Sequence, residues 1–385
     1  MKRRRILFLN TVGFIGGQEM VLLDLVRGLD PARFDSVLAT LMPGALDDAV
    51  RAEGKATYDL PPHRIRQPLK LGGALLALAN ILERERIDVV HCNGDSLLFY
   101  GVLASLRGRQ PCVWHVYEPV VRRGNPYERF FYETQRLMRP AFTIFGTAAV
   151  EESYEREYPR LGPRLPIMPA VDVDAILAGS DGGRARERLG VGSDTPIFSV
   201  IGRLQRSKGQ REAIQALTAV ETSGPAPHLV LCGGPPIQTD EDYPAELRAL
   251  AAELGVAARV HFVGALSEAQ KRDLLQATTA LVHPAHREAF GIVVIEGMGA
   301  GKPVIVTDAV GPKSIVDGSG GAELVPRRDV PALARAMERV LADPERARRM
   351  GQLGQAHARA RYDKRAMVRR VEQVYDEVLD ARTRR

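Results

Sequence analysis

Ile197-Phe198-Ser199-Val200-Ile201-Gly202-Arg203-Leu204-Gln205-Arg206-Ser207-Lys208-Gly209 is an apolar run of strand length that stops at a glycine, turns through a basic loop and enters the helical period of Gln210–Ala219. An apolar run, a glycine turn and a helix are the repeating half of a parallel α/β sheet covered on both faces. The rhythm continues in both directions. Downstream, Leu229–Leu231, Val260–Val263, Ala280–His283 and Val304–Val306 read as strands, between helices near Pro244–Leu254, Glu268–Leu275, Ile292–Met298 and Val330–Leu341. Upstream, Ile6–Leu9, Ser36–Thr40, Val89–His91, Cys112–Val116 and Phe142–Gly146 alternate with helical stretches near Gln18–Leu29, Leu46–Glu53, Leu71–Arg86 and Ser96–Leu106. Between Tyr158 and Ile176 the rhythm lapses, and Pro159, Gly162, Pro163, Pro166 and Pro169 mark a linker. A chain of 385 residues is too long for one ordinary core. The expected fold class is therefore α/β, with two doubly wound Rossmann-like domains, residues 1–170 and 171–363, facing across a cleft. The last stretch, 364–385, reads as a helix packing back on the N-terminal domain, with Val368, Val371, Val374, Tyr375 and Val378 on one side.

Composition narrows the class. Hydrophobic residues make up 45% and charged residues 26%, the balance of a globular protein, and no apolar run approaches the ~20 residues that span a bilayer. Lys and Arg number 53 against 47 Asp and Glu, a net +6 that is small and spread; nucleic acid is not expected, and an anionic small ligand satisfies the surplus. Cys92, Cys112 and Cys232 lack the spacing of a zinc site or a disulfide framework and read as buried, reduced thiols. The opening Met1-Lys2-Arg3-Arg4-Arg5-Ile6-Leu7-Phe8-Leu9 has the charge order of a signal peptide, but Asn10 and Thr11 interrupt it and no small-residue cleavage site follows. It reads as a first strand with a basic lead-in, and the protein is expected in the cytoplasm.

Open α/β sheets bind ligands beyond the carboxyl ends of their strands, so the segments after each strand hold the chemistry. After the first strand, Gly13-Phe14-Ile15-Gly16-Gly17-Gln18-Glu19 is a glycine turn that lacks the dinucleotide fingerprint; it is either a tight strand–helix turn or a place of close approach to an anion. In the opening segment, Arg203 and Lys208 flank a loop that leads into a helix, so two cations and free helical amides suit a diphosphate. After Ala280–His283 comes Glu288-Ala289-Phe290-Gly291-Ile292-Val293-Val294-Ile295-Glu296, in which two carboxylates bracket an apolar helix start. Carboxylates accept hydrogen bonds from vicinal hydroxyls, and this pair suits a sugar ring and a ribose.

Gly202-Arg203-Leu204 with Lys208-Gly209, Glu288 and Glu296 with seven residues between them, and Gly16-Gly17 together resemble the retaining GT-B glycosyltransferases of family 4, the group 1 transferases. The resemblance covers nearly the whole chain and is stronger in the second half. It implies a GT-B fold and transfer of a sugar from a nucleoside-diphosphate-sugar donor to an acceptor hydroxyl, in polysaccharide, glycolipid or metabolite glycosylation. Carried over by position, Arg203 and Lys208 bind the diphosphate, Glu288 the sugar hydroxyls and Glu296 the ribose. Gly202 and the backbone of Phe290, Gly291 and Ile292 complete the donor cradle, Gly16 and Gly17 approach the phosphates or the acceptor, and His115 lies beside the donor sugar. Two positions depart from the pattern. Pro169-Ala170-Val171-Asp172 stands for Asn-Gly-Val-Asp, and Ser314 takes the place of an acid after Gly311.

Asp172-Val173-Asp174 and Asp240-Glu241-Asp242 have the spacing of metal-binding D-x-D triplets, but Arg203 and Lys208 already supply the positive charge, so no metal or cofactor is expected. Gly297–Pro303 mimics a P-loop with Glu296 and Pro303 at disallowed positions and reads as a helix end. Residues 122–139 hold five arginines against two glutamates, with Tyr127, Phe130, Phe131, Thr134, Leu137 and Met138 on one face. Such a helix makes peripheral contact with the inner membrane or, more commonly, packs its aromatic face on its own domain. Two other function classes share the layout: a nucleotide-sugar epimerase, which needs no acceptor, and a non-catalytic nucleotide-sugar binder, which shows no turnover.

Overall fold

A computed structural model describes residues 3–62, 67–120, 126–158, 161–234 and 240–384. The chain divides into two compact units, Met1–Pro169 with Lys364–Arg385, and Ala170–Asp363. The first holds seven strands: β1 (Arg4–Val12), β2 (Phe34–Met42), β3 (Ala56–Asp59), β4 (Val89–Asn93), β5 (Cys112–Val116), β6 (Phe142–Phe145) and β7 (Arg164–Pro166), in the spatial order β3-β2-β1-β4-β5-β6-β7. The second holds six: β8 (Ile197–Ile201), β9 (His228–Cys232), β10 (Val260–Gly264), β11 (Ala280–His283), β12 (Val304–Thr307) and β13 (Ala322–Val325), ordered β10-β9-β8-β11-β12-β13. Every pairing is parallel.

Parallel strands with helices on both faces are buried on both, which is why β4, β5, β8, β11 and β12 are buried at every residue and read as mainly apolar runs rather than strictly alternating ones. Around β8 and β9, Ile214 and Leu217 of the helix Gln210–Ala219 meet Met337 and Val340 of the helix Val330–Ala342 in one apolar cluster. The three cysteines are buried free thiols.

The final helix, Lys364–Thr383, belongs to the first unit and buries Val368, Val371, Val374, Tyr375 and Val378. Its polar edge is fixed as well: Glu372 Oε1 accepts from the backbone N–H of Asp30 at 2.7 Å, and Lys364 Nζ donates to Asp24 at 2.9 Å. The proline-rich stretch read as a linker contains β7, which pairs with β6 at the sheet edge, where proline does not break a ladder.

Candidate active site

In the second sheet the strand order reverses between β8 and β11, neighbours whose outgoing chains diverge; this is the crevice at which open α/β sheets receive ligands. The two strongest sequence motifs follow these two strands. Their loops are joined backbone to backbone. The N–H of His286 donates to the Ser207 carbonyl at 2.8 Å. Gly209 has φ +72°, and a Cβ built there lies 2.0 Å from the Pro284 carbonyl oxygen, so this position admits no side chain. The first turn of the helix Val310–Val316 closes the group: Gly311 N–H donates to the Glu288 carbonyl at 3.2 Å, and a Cβ on Gly311 would stand 2.4 Å from the Phe290 oxygen.

On this frame Lys208 Nζ donates to Glu288 Oε2 at 2.5 Å, and His283 Nε2 lies 3.3 Å from the same oxygen. Burial pushes the Glu288 carboxyl up, but the neighbouring His283 ring and the Lys208 charge outweigh it and hold the value down at about 2. The sequence assigned Lys208 to a phosphate and Glu288 to a sugar as separate contacts; the structure brings them together as one ion pair. Arg203 sits on the same loop, whose turn is held by a hydrogen bond from Gln210 Nε2 to the Arg203 carbonyl at 2.8 Å. Arg206, the loop's other arginine, is committed elsewhere, paired with Glu246 and stacked 5.1 Å from the Tyr243 ring.

Gly202 leaves β8 at φ +153° and Gly291, at φ +97°, caps the helix Ile292–Gly299. The amides of Ile292 and Val293 precede the first backbone hydrogen bond of that helix, from Val294 N–H to the Gly291 carbonyl at 2.9 Å. Further along it, Glu296 receives Lys271 Nζ at 2.7 Å, and Lys271 also lies 3.1 Å from Glu268. Burial lowers the Lys271 ammonium, and the two carboxylates outweigh that, leaving it raised. His283 and Lys271 were not singled out from the sequence. His283 had a legible signal, a polar residue ending an apolar strand; Lys271 reaches Glu296 across 25 residues and had none.

Ser314 does not substitute for the missing acid: its Oγ donates to the Gly311 carbonyl at 2.8 Å, within its own turn. Val171, in the segment that departs from the family pattern, pairs with Asp363, and Asp172 caps the next helix through the Ala175 N–H at 2.9 Å. Asp174 pairs with Arg359 at 2.7 Å. The P-loop mimic is the end of Ile292–Gly299 and the turn into β12.

In the first unit, Gly16 begins the helix Gly17–Gly28, its N–H donating to the buried Glu19 Oε2 at 3.0 Å. A Cβ on Gly17 meets no described atom within 4 Å, so the unit's own packing does not demand glycine there. His115 is buried at the end of β5, its Nδ1 3.2 Å from His91 Nε2 and 3.0 Å from the Tyr117 hydroxyl, and its Nε2 has no hydrogen-bond partner among the described residues. Residues 122–125 and the side chains of Tyr127, Phe130 and Phe131 lie outside the described residues. Within the helix Pro126–Arg136 and just beyond it, Arg136 pairs with Glu133 and Leu137 is exposed. Among the described residues no helix is long and apolar enough to cross a membrane.

The family model described as glycosyl transferases group 1 matches residues 183–357, and the model described as glycosyltransferase family 4 matches residues 15–164. The chain belongs to this glycosyltransferase family. A curated family relative from Corynebacterium urealyticum, named D-inositol 3-phosphate glycosyltransferase, is 30% identical over 62% of this chain and 57% of its own length. One of the same name from Acidothermus cellulolyticus is 35% identical over 47% and 41%. The chain spans about half the length of the curated relatives it matches. Among solved structures, Anabaena HepE in complex with UDP and glucose superposes with a TM-score of 0.85 at 22% identity, over 97% of this chain and 100% of that one. A glycosyltransferase from Rickettsia africae gives 0.86 at 16% identity, over 98% and 99%. These superpositions place the chain in the GT-B fold.

Proposed function

We propose that this chain transfers a sugar from a nucleoside-diphosphate-sugar donor to an acceptor hydroxyl, with retention of anomeric configuration. The observation that carries the reading is the Lys208–Glu288–His283 cluster at the crevice between β8 and β11, with Arg203 on the same loop as Lys208. Lys208 and Arg203 supply the cations for a diphosphate, and Glu288, ionised throughout the physiological range, accepts from sugar hydroxyls while orienting Lys208. Glu296, held by Lys271, accepts from the ribose, and the amides of Phe290, Gly291 and Ile292 adjoin the phosphate and sugar. Gly16, Gly17 and His115 of the first unit act on the same donor or the acceptor.

In the reaction the acceptor oxygen attacks the anomeric carbon and the bond from that carbon to the phosphate oxygen breaks. The electron pair stays on the departing phosphate, which also takes the acceptor proton on the same face. Charge therefore accumulates on the diphosphate, where preorganised cations and amides lower the barrier most. No step requires a metal.

UDP-sugars are the first donors to test, since the Anabaena HepE structures contain UDP and UDP-glucose. The family relatives named D-inositol 3-phosphate glycosyltransferase make a phosphorylated polyol one acceptor to include beside lipid-linked and polysaccharide acceptors. The test is thermal-shift screening against UDP-, GDP- and ADP-sugars, followed by turnover with the stabilising donor. Stabilisation by one donor class, lost in Glu296→Ala, supports the reading; no stabilisation by any overturns it. Membrane contact through residues 122–139 is tested by liposome flotation, where absence of binding removes it.

A further inference from the structure

Six buried side chains of the first unit form one hydrogen-bonded chain that runs from the carboxyl end of β1 to the C-terminal helix. At one end the Val12 carbonyl, which can only accept, fixes the direction of each hydrogen bond along the chain. Asn10 Nδ2 donates to it at 2.7 Å, so Asn10 Oδ1 is the acceptor that receives Asn93 Nδ2 at 2.8 Å. Asn93 Oδ1 then receives the Tyr117 hydroxyl at 2.8 Å. Tyr117 has one proton and this bond uses it, so the oxygen that it presents to His115 Nδ1 at 3.0 Å is an acceptor.

His115 Nδ1 accordingly carries a hydrogen. His91 Nε2 lies 3.2 Å from the same nitrogen, and two N–H groups cannot face one another at that distance, so His91 Nε2 presents its lone pair. Both rings are neutral: burial drives His91 down to about 3, and burial together with the neighbouring His91 drives His115 well below its ordinary value. A neutral His91 with a bare Nε2 bears its proton on Nδ1, and the group 2.8 Å from that atom is the Tyr375 hydroxyl. The remaining atom is His115 Nε2, buried, unprotonated and without a partner among the described residues. An orphaned buried acceptor is unfavourable, a cost relieved when a hydroxyl donor arrives.

We propose that Tyr375, acting through His91, is a positioning residue that holds His115 in the tautomer whose Nε2 accepts a hydrogen bond from a substrate hydroxyl. The proposal rests on the glycosyltransferase reading only for the identity of that hydroxyl. Loss of the Tyr375 oxygen leaves His91 Nδ1–H buried without an acceptor. The His91 proton then moves to Nε2, which faces His115 Nδ1 and forces the His115 proton onto its own Nε2, converting acceptor to donor. The last helix of the chain thereby sets the hydrogen-bonding character of an atom in β5.

The experiment is 15N spectroscopy of the full chain labelled at its histidines, with His115 assigned through His115→Asn. Imidazole nitrogen shifts report which nitrogen is protonated. The expected wild-type pattern is a protonated His115 Nδ1 and a bare Nε2, reversed in Tyr375→Phe. With a turnover assay in hand, Tyr375→Phe lowers kcat by roughly tenfold or more while KM stays within about twofold, the pattern of a misdirected hydrogen bond rather than a loosened fold. A wild-type spectrum with His115 Nε2 protonated overturns the proposal without any variant, and so does an unchanged tautomer in a folded Tyr375→Phe. Should the tautomers behave as stated while no donor binds, the relay stands and the glycosyltransferase reading falls.

Discussion

The Lys208–Glu288 pair defines what a single residue contributes here. Its distance of 2.5 Å, with His283 on the same oxygen, means that removing Lys208 strands a largely buried carboxylate. Lys208→Met is expected to lower donor turnover by about a hundredfold or more, the scale of losing one charge-stabilising group, as measured by kcat/KM at saturating acceptor. The same pair predicts an acid limb in stability. A carboxyl depressed from 4.5 to about 2 contributes stability that is fully present above its unfolded value and is lost as pH falls through the window from 4.5 to about 2. At ~1.4 kcal/mol per unit the contribution is about 3 kcal/mol, and denaturant midpoints between pH 5 and pH 2 should show a shallower fall for Glu288→Gln. Gly209→Ala places a Cβ at φ +72° and 2.0 Å from the Pro284 oxygen. It should cost about 2 kcal/mol or more and separate the two loops, read as a lowered Tm together with lost donor-induced stabilisation.

Elements rather than residues carried most of what the sequence disclosed. β8, β11 and β12 were legible because central parallel strands are mostly apolar, and their order placed Gly202–Gly209 and Glu288–Gly291 at carboxyl ends. β3, β7 and β13 were not, since each has only three or four residues, most of them polar, proline or half-exposed. The site was legible as residue types and not as partners. Glu288 and Glu296 stood out, but Lys271 became a partner only once the fold brought the helix Glu268–Ala277 within side-chain reach of Ile292–Gly299. The C-terminal helix shows how much an element at the end of a chain can hold. Gly28 lies against Val368 closely enough that a Cβ would stand 2.8 Å from Cγ2, and Tyr375 is buried against Phe34 and His91. Removing residues 364–385 should therefore destabilise the first unit selectively. Hydrogen exchange is expected to show lost protection in Gly17–Gly28 and β1, with β8 to β13 unaffected.

At the scale of the whole molecule, two apolar clusters among the described residues each draw their residues from one unit alone. The proposed donor contacts are divided unequally. The two cations and both carboxylates belong to the second unit, whereas Gly16, Gly17 and His115 belong to the first. A nucleoside diphosphate lacks the sugar that His115 is proposed to meet, so its binding energy should be delivered mainly to the second unit. Ligand that binds the folded form alone stabilises it by RT ln(1 + [L]/Kd), about 2.7 kcal/mol at a hundredfold excess over Kd. Calorimetry with a saturating nucleoside diphosphate is then expected to raise the transition of Ala170–Asp363, and hydrogen exchange to place the gained protection in residues 202–209 and 284–296. Adding the sugar-bearing donor should extend protection to residues 112–117 of the first unit. If the free diphosphate protects residues 112–117 as strongly as the complete donor does, His115 does not respond to the sugar and its assignment fails, while the second unit's phosphate contacts stand.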